Sequence, residues 1–120
     1  MARQPELDEL LGDIAKWADR IGRYVEGMDF EAFAADLKTQ DAVIRCLEVI
    51  GEASSRILKI APRLQEEHPE LQLRQAYRAR NRTAHGYGSV SLESIWGSAI
   101  DAAPRMADAA RWVLHRQGGS

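Results

Sequence analysis

Cysteine is almost missing from this chain. Cys46 stands alone in 120 residues, which excludes an internal disulfide framework. With apolar Ile44 and Leu47 beside it, it reads as a reduced, buried thiol. No apolar run approaches the ~18 residues that a membrane span needs. The opening Met1-Ala2-Arg3-Gln4-Pro5-Glu6 has no apolar signal core behind its charge, so a soluble, unexported protein of the cytoplasm is expected. Alternation of strand type and internal repeats are both lacking, which leaves helices to form the core. A large excess of either charge is lacking too. Sixteen basic and eighteen acidic residues give a formal charge of -2, so bulk electrostatic coating of nucleic acid is excluded and any such contact must be local. There is no glycine-rich phosphate loop and no serine nucleophile elbow. His68 and His115 lie far from His85 in sequence, no His/Cys pair has ligand spacing, and neither a metal nor a cofactor is expected.

The helices show in the spacing of apolar residues. Leu7, Leu10, Leu11, Ile14, Ala18, Ile21, Val25 and Met28 recur every three or four positions and predict a first amphipathic helix from Leu7 to Met28. Asp29 can cap a short turn that carries Phe30 and Phe33 inward. A long second helix follows, with Val43, Leu47, Ile50, Ser54, Ile57, Leu58 and Ala61 on its buried side. Pro62 kinks or ends it, and Pro69 marks the next boundary. Leu71 to His85 reads as a third helix stopped by Gly86-Tyr87-Gly88. Ser91, with Glu93 or Ser94, opens a fourth that turns Ile95, Ala99, Ile100, Ala103, Met106, Ala107, Ala110, Val113 and Leu114 inward, with Pro104 bending or dividing it near Asp101. The reading is one all-α domain over residues 1–120, a four- to five-helix antiparallel bundle, with 117–120 as a disordered tail. Gly51, inside the second helix beside Ala53, Ser54 and Ser55, costs about 1 kcal/mol against alanine. Its presence there implies that another backbone packs closely against it.

Chemistry is concentrated in Arg80-Asn81-Arg82-Thr83-Ala84-His85-Gly86-Tyr87. On a helical wheel Tyr77, Asn81, Ala84 and His85 share a face with Arg80 at its edge, while Arg74, Arg78 and Arg82 form a second stripe. That stripe is either a solvated face or a set of phosphate-positioning contacts. Arg80 and His85 lie about 7.5 Å apart along the axis, near enough to address neighbouring atoms of one phosphodiester. The negative end of the helix dipole favours imidazolium at His85 and the arginines oppose it, which places its titration near neutrality, where general acid-base chemistry operates. Arg80 would stabilise charge growing on phosphoryl oxygens and Asn81 would orient a hydroxyl or the phosphate. An Arg-x4-His spacing alone is equally met by a histidine that merely caps a helix. Glu48 and Glu52 form an i,i+4 acidic pair that is structural, or in which Glu52 orients an arginine of the site.

Four segments in order carry a resemblance: Asp36-Leu37-Lys38-Thr39-Gln40-Asp41-Ala42-Val43, then Leu47-Glu48-Val49-Ile50-Gly51-Glu52-Ala53, then His68-Pro69-Glu70, then Arg80-Asn81-x3-His85-x-Tyr87 followed by Ile95-Trp96. Over most of its length the chain resembles the HEPN-domain toxins of the HepT type, which are encoded with minimal nucleotidyltransferase (MNT) antitoxins in prokaryotes. The resemblance implies a helical bundle that dimerises and joins two copies of the Arg-x4-His motif in one cleft. It also implies metal-independent endoribonuclease activity on RNA, carried by Arg80, Asn81 and His85, and AMP transfer by the cognate antitoxin onto Tyr87 as the means of neutralisation. One departure is visible: Gln72-Leu73, followed by Ala76-Tyr77-Arg78-Ala79, stands where relatives often have Pro-Trp before the third helix, which bears on the substrate and the cleft wall more than on the chemistry. Two other readings stay open at this level. One is a non-catalytic HEPN module that binds a nucleotidyltransferase or nucleotide, and the other is a plain helical dimer without a ligand.

Overall fold

A computed structural model describes residues 4–84 and 91–118, with the side chains of 82–84 and 117–118 outside that description. The elements in order are α1 (Pro5–Tyr24), α2 (Phe30–Ala34), α3 (Leu37–Ile60), α4 (Leu64–Glu67), a 3-10 turn (Pro69–Leu71), α5 (Leu73–Ala84), α6 (Leu92–Gly97), a π-helical turn (Ser98–Ala102) and α7 (Ala103–Gly118). Among the described residues there is no strand. None of the helices among them is long and apolar enough to cross a membrane. The all-α expectation therefore holds.

The long helices α1, α3, α5 and α7 form the frame: α3 lies between α1 and α5, and α7 packs on the other flank of α1. Leu11, Ile14 and Ile21 of α1, Val43, Ile50 and Ile57 of α3, and Ala110 and Val113 of α7 are among the side chains sealed from solvent at their common core. Burial of this kind contributes roughly 1.5–3 kcal/mol for each large aliphatic side chain. The unit measures 48 × 29 × 19 Å. Its shortest dimension is about two helix diameters, so the long helices pack in few layers and keep faces exposed.

Several starts and stops follow directly from side-chain chemistry. Asp29 accepts the Ala32 N–H at 2.8 Å and caps α2, which lets Phe33 reach the core at 0% exposure and meet Trp96 of α6 with ring centroids 5.2 Å apart. Asp36 caps α3, accepting the Thr39 N–H at 3.0 Å and the Thr39 hydroxyl at 2.8 Å. These two bonds, the backbone one first, hold its carboxyl below the ordinary carboxylate range. The cap therefore stabilises the fold at pH values above that range, and this contribution is lost as pH falls further, through the lowered value of the folded state. Ser91 accepts the Ser94 N–H and opens α6. Buried Gln65 reaches eight residues along the chain to accept the backbone N–H groups of Leu73 at 2.7 Å and Arg74 at 3.3 Å. Two orphan donors at the start of α5 are satisfied in this way.

Four expectations need correction. The first helix stops at Tyr24 rather than Met28, because the chain turns through Gly27 at φ +76°. Val25 still reaches the core from that turn, which is why its spacing looked helical. The third helix begins at Leu73 rather than Leu71, which sits in the 3-10 turn ahead of a left-handed Gln72. Ile100, expected inward, is 50% exposed. It lies in the π-helical turn, whose wider winding breaks the regular wheel. That turn ends two residues before Pro104, whose ring disfavours an ordinary helical bond to the carbonyl four residues back. The division expected near Asp101 thus takes the form of a π turn. Helix α7 runs through Gly118, so residues 117 and 118 of the expected tail have helical backbone, while 119–120 lie outside the described residues.

Candidate phosphate-binding site

On helix α5, Arg80 is presented differently from Arg74 and Arg78, as the wheel predicts. Arg74 is exposed and pairs with exposed Glu66 at 3.3 Å, and Arg78 is exposed as well. Pairs of this kind contribute little to stability and exchange readily with solvent, so both arginines remain available to a polyanion. Arg82 lies on the same helix. Arg80 is held quite differently: its side chain is 35% exposed and its Nη2 lies 3.2 Å from Glu52 Oε2 on α3. Arg80 Nη1 also donates to Asn81 Oδ1 at 3.4 Å. The Glu52 expectation is met in the sense that this carboxylate touches the arginine of the motif.

Gly51 explains how α5 comes near enough for that contact. A Cβ at position 51 would sit 2.4 Å from Arg80 Cβ and 2.8 Å from the Ala76 carbonyl oxygen. Only a residue without a side chain tolerates such an approach. The close packing expected at this glycine is thus present, and its neighbour across the interface is the motif helix itself.

A groove of about 450 Å³ opens beside Arg80. Its wall is made by Leu10 and Asp13 of α1, Arg45, Glu48, Val49, Glu52, Ala53 and Arg56 of α3, and Arg80 of α5. Three guanidinium groups and three carboxylates line it, so the groove is polar and close to neutral. Sequence reasoning missed Asp13, Arg45 and Arg56 as groove residues. They come from two helices, and no local spacing joins them to the motif. It also missed Gln65, whose separation from α5 is likewise non-local.

His85 and Tyr87 lie outside the described residues, so the geometry brings together Arg80, Asn81 and Glu52 but does not speak to the histidine or the tyrosine of the motif. Cys46 is buried, and burial pushes its thiol up, which keeps it protonated and weakly nucleophilic. It takes no part in the groove.

Comparison with known proteins places this arrangement in a family. Residues 14–113 match the family model described as ribonuclease HepT-like. A chain from Thermococcus cleftensis named probable ribonuclease HepT is 38% identical over 98 residues, covering 82% of this chain and 86% of that one. A chain from Methanocaldococcus jannaschii, provisionally named an RNase, is 33% identical over 94 residues, covering 78% of each. A bacterial chain from Caldanaerobacter subterraneus, also provisionally named an RNase, is 25% identical over 114 residues, covering 95% of this chain and 96% of its own length. No solved structure gives a significant match. On the extent of the family match and the identity to its relatives, this chain belongs to the HepT-like ribonuclease family.

Proposed function

We propose that the protein is a metal-independent endoribonuclease toxin that cuts RNA with Arg80, Asn81 and His85, and that it is silenced through Tyr87. The observation that carries this reading is the placement of Arg80: a half-buried guanidinium, fixed by Glu52 and facing a polar groove, on the helix that leads into His85. In the reaction, the 2′-hydroxyl of a ribose loses its proton to a base and its oxygen bonds to the adjacent phosphorus. The bond from phosphorus to the 5′ oxygen breaks, and that oxygen takes a proton. His85 serves as acid or base, Arg80 neutralises charge on the phosphoryl oxygens, and Asn81 orients the reacting group. Arg74, Arg78 and Arg82 position the strand by its phosphates.

A homodimer supplies the second copy of the motif for a shared cleft. The thin shape of the bundle and exposed apolar groups such as Leu37, Ile100 and Trp112 are consistent with further burial between copies. Cleavage should persist in EDTA, leave a 2′,3′-cyclic phosphate, and disappear on a strand whose cut site lacks the 2′-hydroxyl. A requirement for added Mg²⁺, or cutting of the deoxy strand, would contradict this chemistry. Activity should also follow the dimer fraction measured by light scattering.

Tyr87 follows Gly86 in the sequence and stands two residues from His85. An AMP group attached there adds bulk and negative charge, occupies the phosphate position and pairs with Arg80, so it competes with RNA in both respects. The partner in this reading is a cognate MNT nucleotidyltransferase encoded beside the protein. Co-expression with it should add AMP mass to the peptide that holds Tyr87 and relieve growth inhibition. An unmodified Tyr87 in the neutralised complex would point to steric blockade instead.

A further inference from the structure

Glu52 has a nearer partner by helical spacing than the one it takes. Arg56 lies one turn further along α3, at the i,i+4 position where a glutamate ordinarily finds its cation. Arg56 is instead drawn to Glu6 of α1 at 3.1 Å, and Glu52 reaches across to α5, where its Oε2 meets Arg80 Nη2 at 3.2 Å. The preceding residue, Gly51, is the one against which Arg80 Cβ and Cγ pack. Two consecutive residues of α3 therefore define both ends of one side chain: Gly51 seats the stem and Glu52 holds the guanidinium.

The pair is half-exposed on the Glu52 side, with side-chain exposures of 35% for Arg80 and 54% for Glu52. An ion pair so placed adds little to folding. Its consequence is orientation. An arginine that loses one of its partners spreads over more rotamers, and a charge that must meet a developing phosphorane loses much of its effect when displaced by an ångström. A carboxylate beside the site also has an electrostatic cost, because it repels the RNA backbone. A residue kept there for binding alone would have the wrong sign.

We infer that Glu52 is a positioning residue for the cleavage reaction: it aims Arg80 at the phosphoryl group while weakening, rather than strengthening, RNA binding. This inference rests on the reading of Arg80 as the phosphate-stabilising residue. It separates Glu52 from Glu48 on the same groove wall, which is assigned no such role.

The test is a kinetic cycle on the full-length protein with an RNA that the wild type cleaves. Glu52→Gln keeps the shape and removes the charge. It should lower kcat about 10-fold while KM stays the same or falls. Glu52→Asp, with the carboxylate retained, should recover part of the loss, and Glu31→Gln, at an exposed carboxylate of α2 outside the groove wall, should leave kcat within about 2-fold of the wild type. In an Arg80→Ala background, Glu52→Gln should add less than about 2-fold, because the group it positions is gone. Denaturation midpoints of Glu52→Gln and wild type should agree closely. The inference is overturned if Glu52→Gln retains full kcat, if its loss lies in KM, or if the loss is as large without Arg80 as with it. Should Arg80→Ala itself cleave like the wild type, the failure belongs to the proposed catalytic reading rather than to Glu52.

Discussion

Replacing His85 by alanine should lower kcat by about 10²–10⁴-fold, the range that a positioned proton-transfer group typically contributes. Arg80→Ala should lose a similar factor, because the groove then lacks the cation that meets charge growing on the phosphate. The two losses should differ in kind. The histidine variant keeps Arg80 against Glu52 and so should bind RNA with KM close to the wild-type value. The arginine variant leaves the Glu52 carboxylate facing the groove without this partner, and its KM should rise as well. Arg74→Ala provides the contrast. Arg74 is exposed and paired with Glu66, so its removal should weaken binding modestly, more at low salt than at high, with kcat little changed. Steady-state cleavage assays at two ionic strengths decide among these outcomes. If Arg74→Ala matched His85→Ala in kcat, the division of α5 into a catalytic and a solvated face would be wrong.

The separation of Arg80 from Arg74 and Arg78 was legible in the sequence because all three belong to one helix, and a helix fixes the angle between residues whatever surrounds it. Asp29 was equally legible as a helix start, since a cap bonds to a backbone N–H only two or three residues away. Gly51 could be read as a close approach because a glycine inside a helix has a local cost that needs a reason. Its partner could not be read, because the neighbour is a helix some 25–30 positions later. The groove shows the same boundary. Leu10, Asp13, Arg45 and Arg56 join Arg80 only once α1, α3 and α5 are packed, and nothing in their spacing relates them beforehand. Ile100 marks a different limit. Its position followed a regular wheel, but Pro104 removes a backbone donor and the π-helical turn ahead of it alters the winding, so the phase of the pattern shifts there. The roles proposed for His85 and Tyr87 rest on motif and family resemblance, with no contribution from packing.

Gly51→Ala is expected to destabilise the fold by about 1–3 kcal/mol, even though alanine is the better helix former by about 1 kcal/mol. The added methyl would lie 2.4 Å from Arg80 Cβ and 2.8 Å from the Ala76 carbonyl oxygen. Neither atom is the far end of a flexible side chain, so relief requires α5 to move away from α3. Movement of α5 carries Arg80 with it, and the same substitution should therefore reduce kcat. Gly22→Ala supplies the control: this glycine is also helical, in α1, and a Cβ there meets nothing within 4 Å. It should raise stability by up to about 1 kcal/mol through helix propensity alone. Denaturant titrations of the two variants should thus shift in opposite directions, with only Gly51→Ala losing activity. Equal stabilisation by both would show that α5 does not lie against Gly51, and would remove the structural basis for the placement of Arg80. Loss of stability in Gly51→Ala with full activity in the folded fraction would instead show that Arg80 keeps its aim when the helix shifts, and would confine the role of Gly51 to packing.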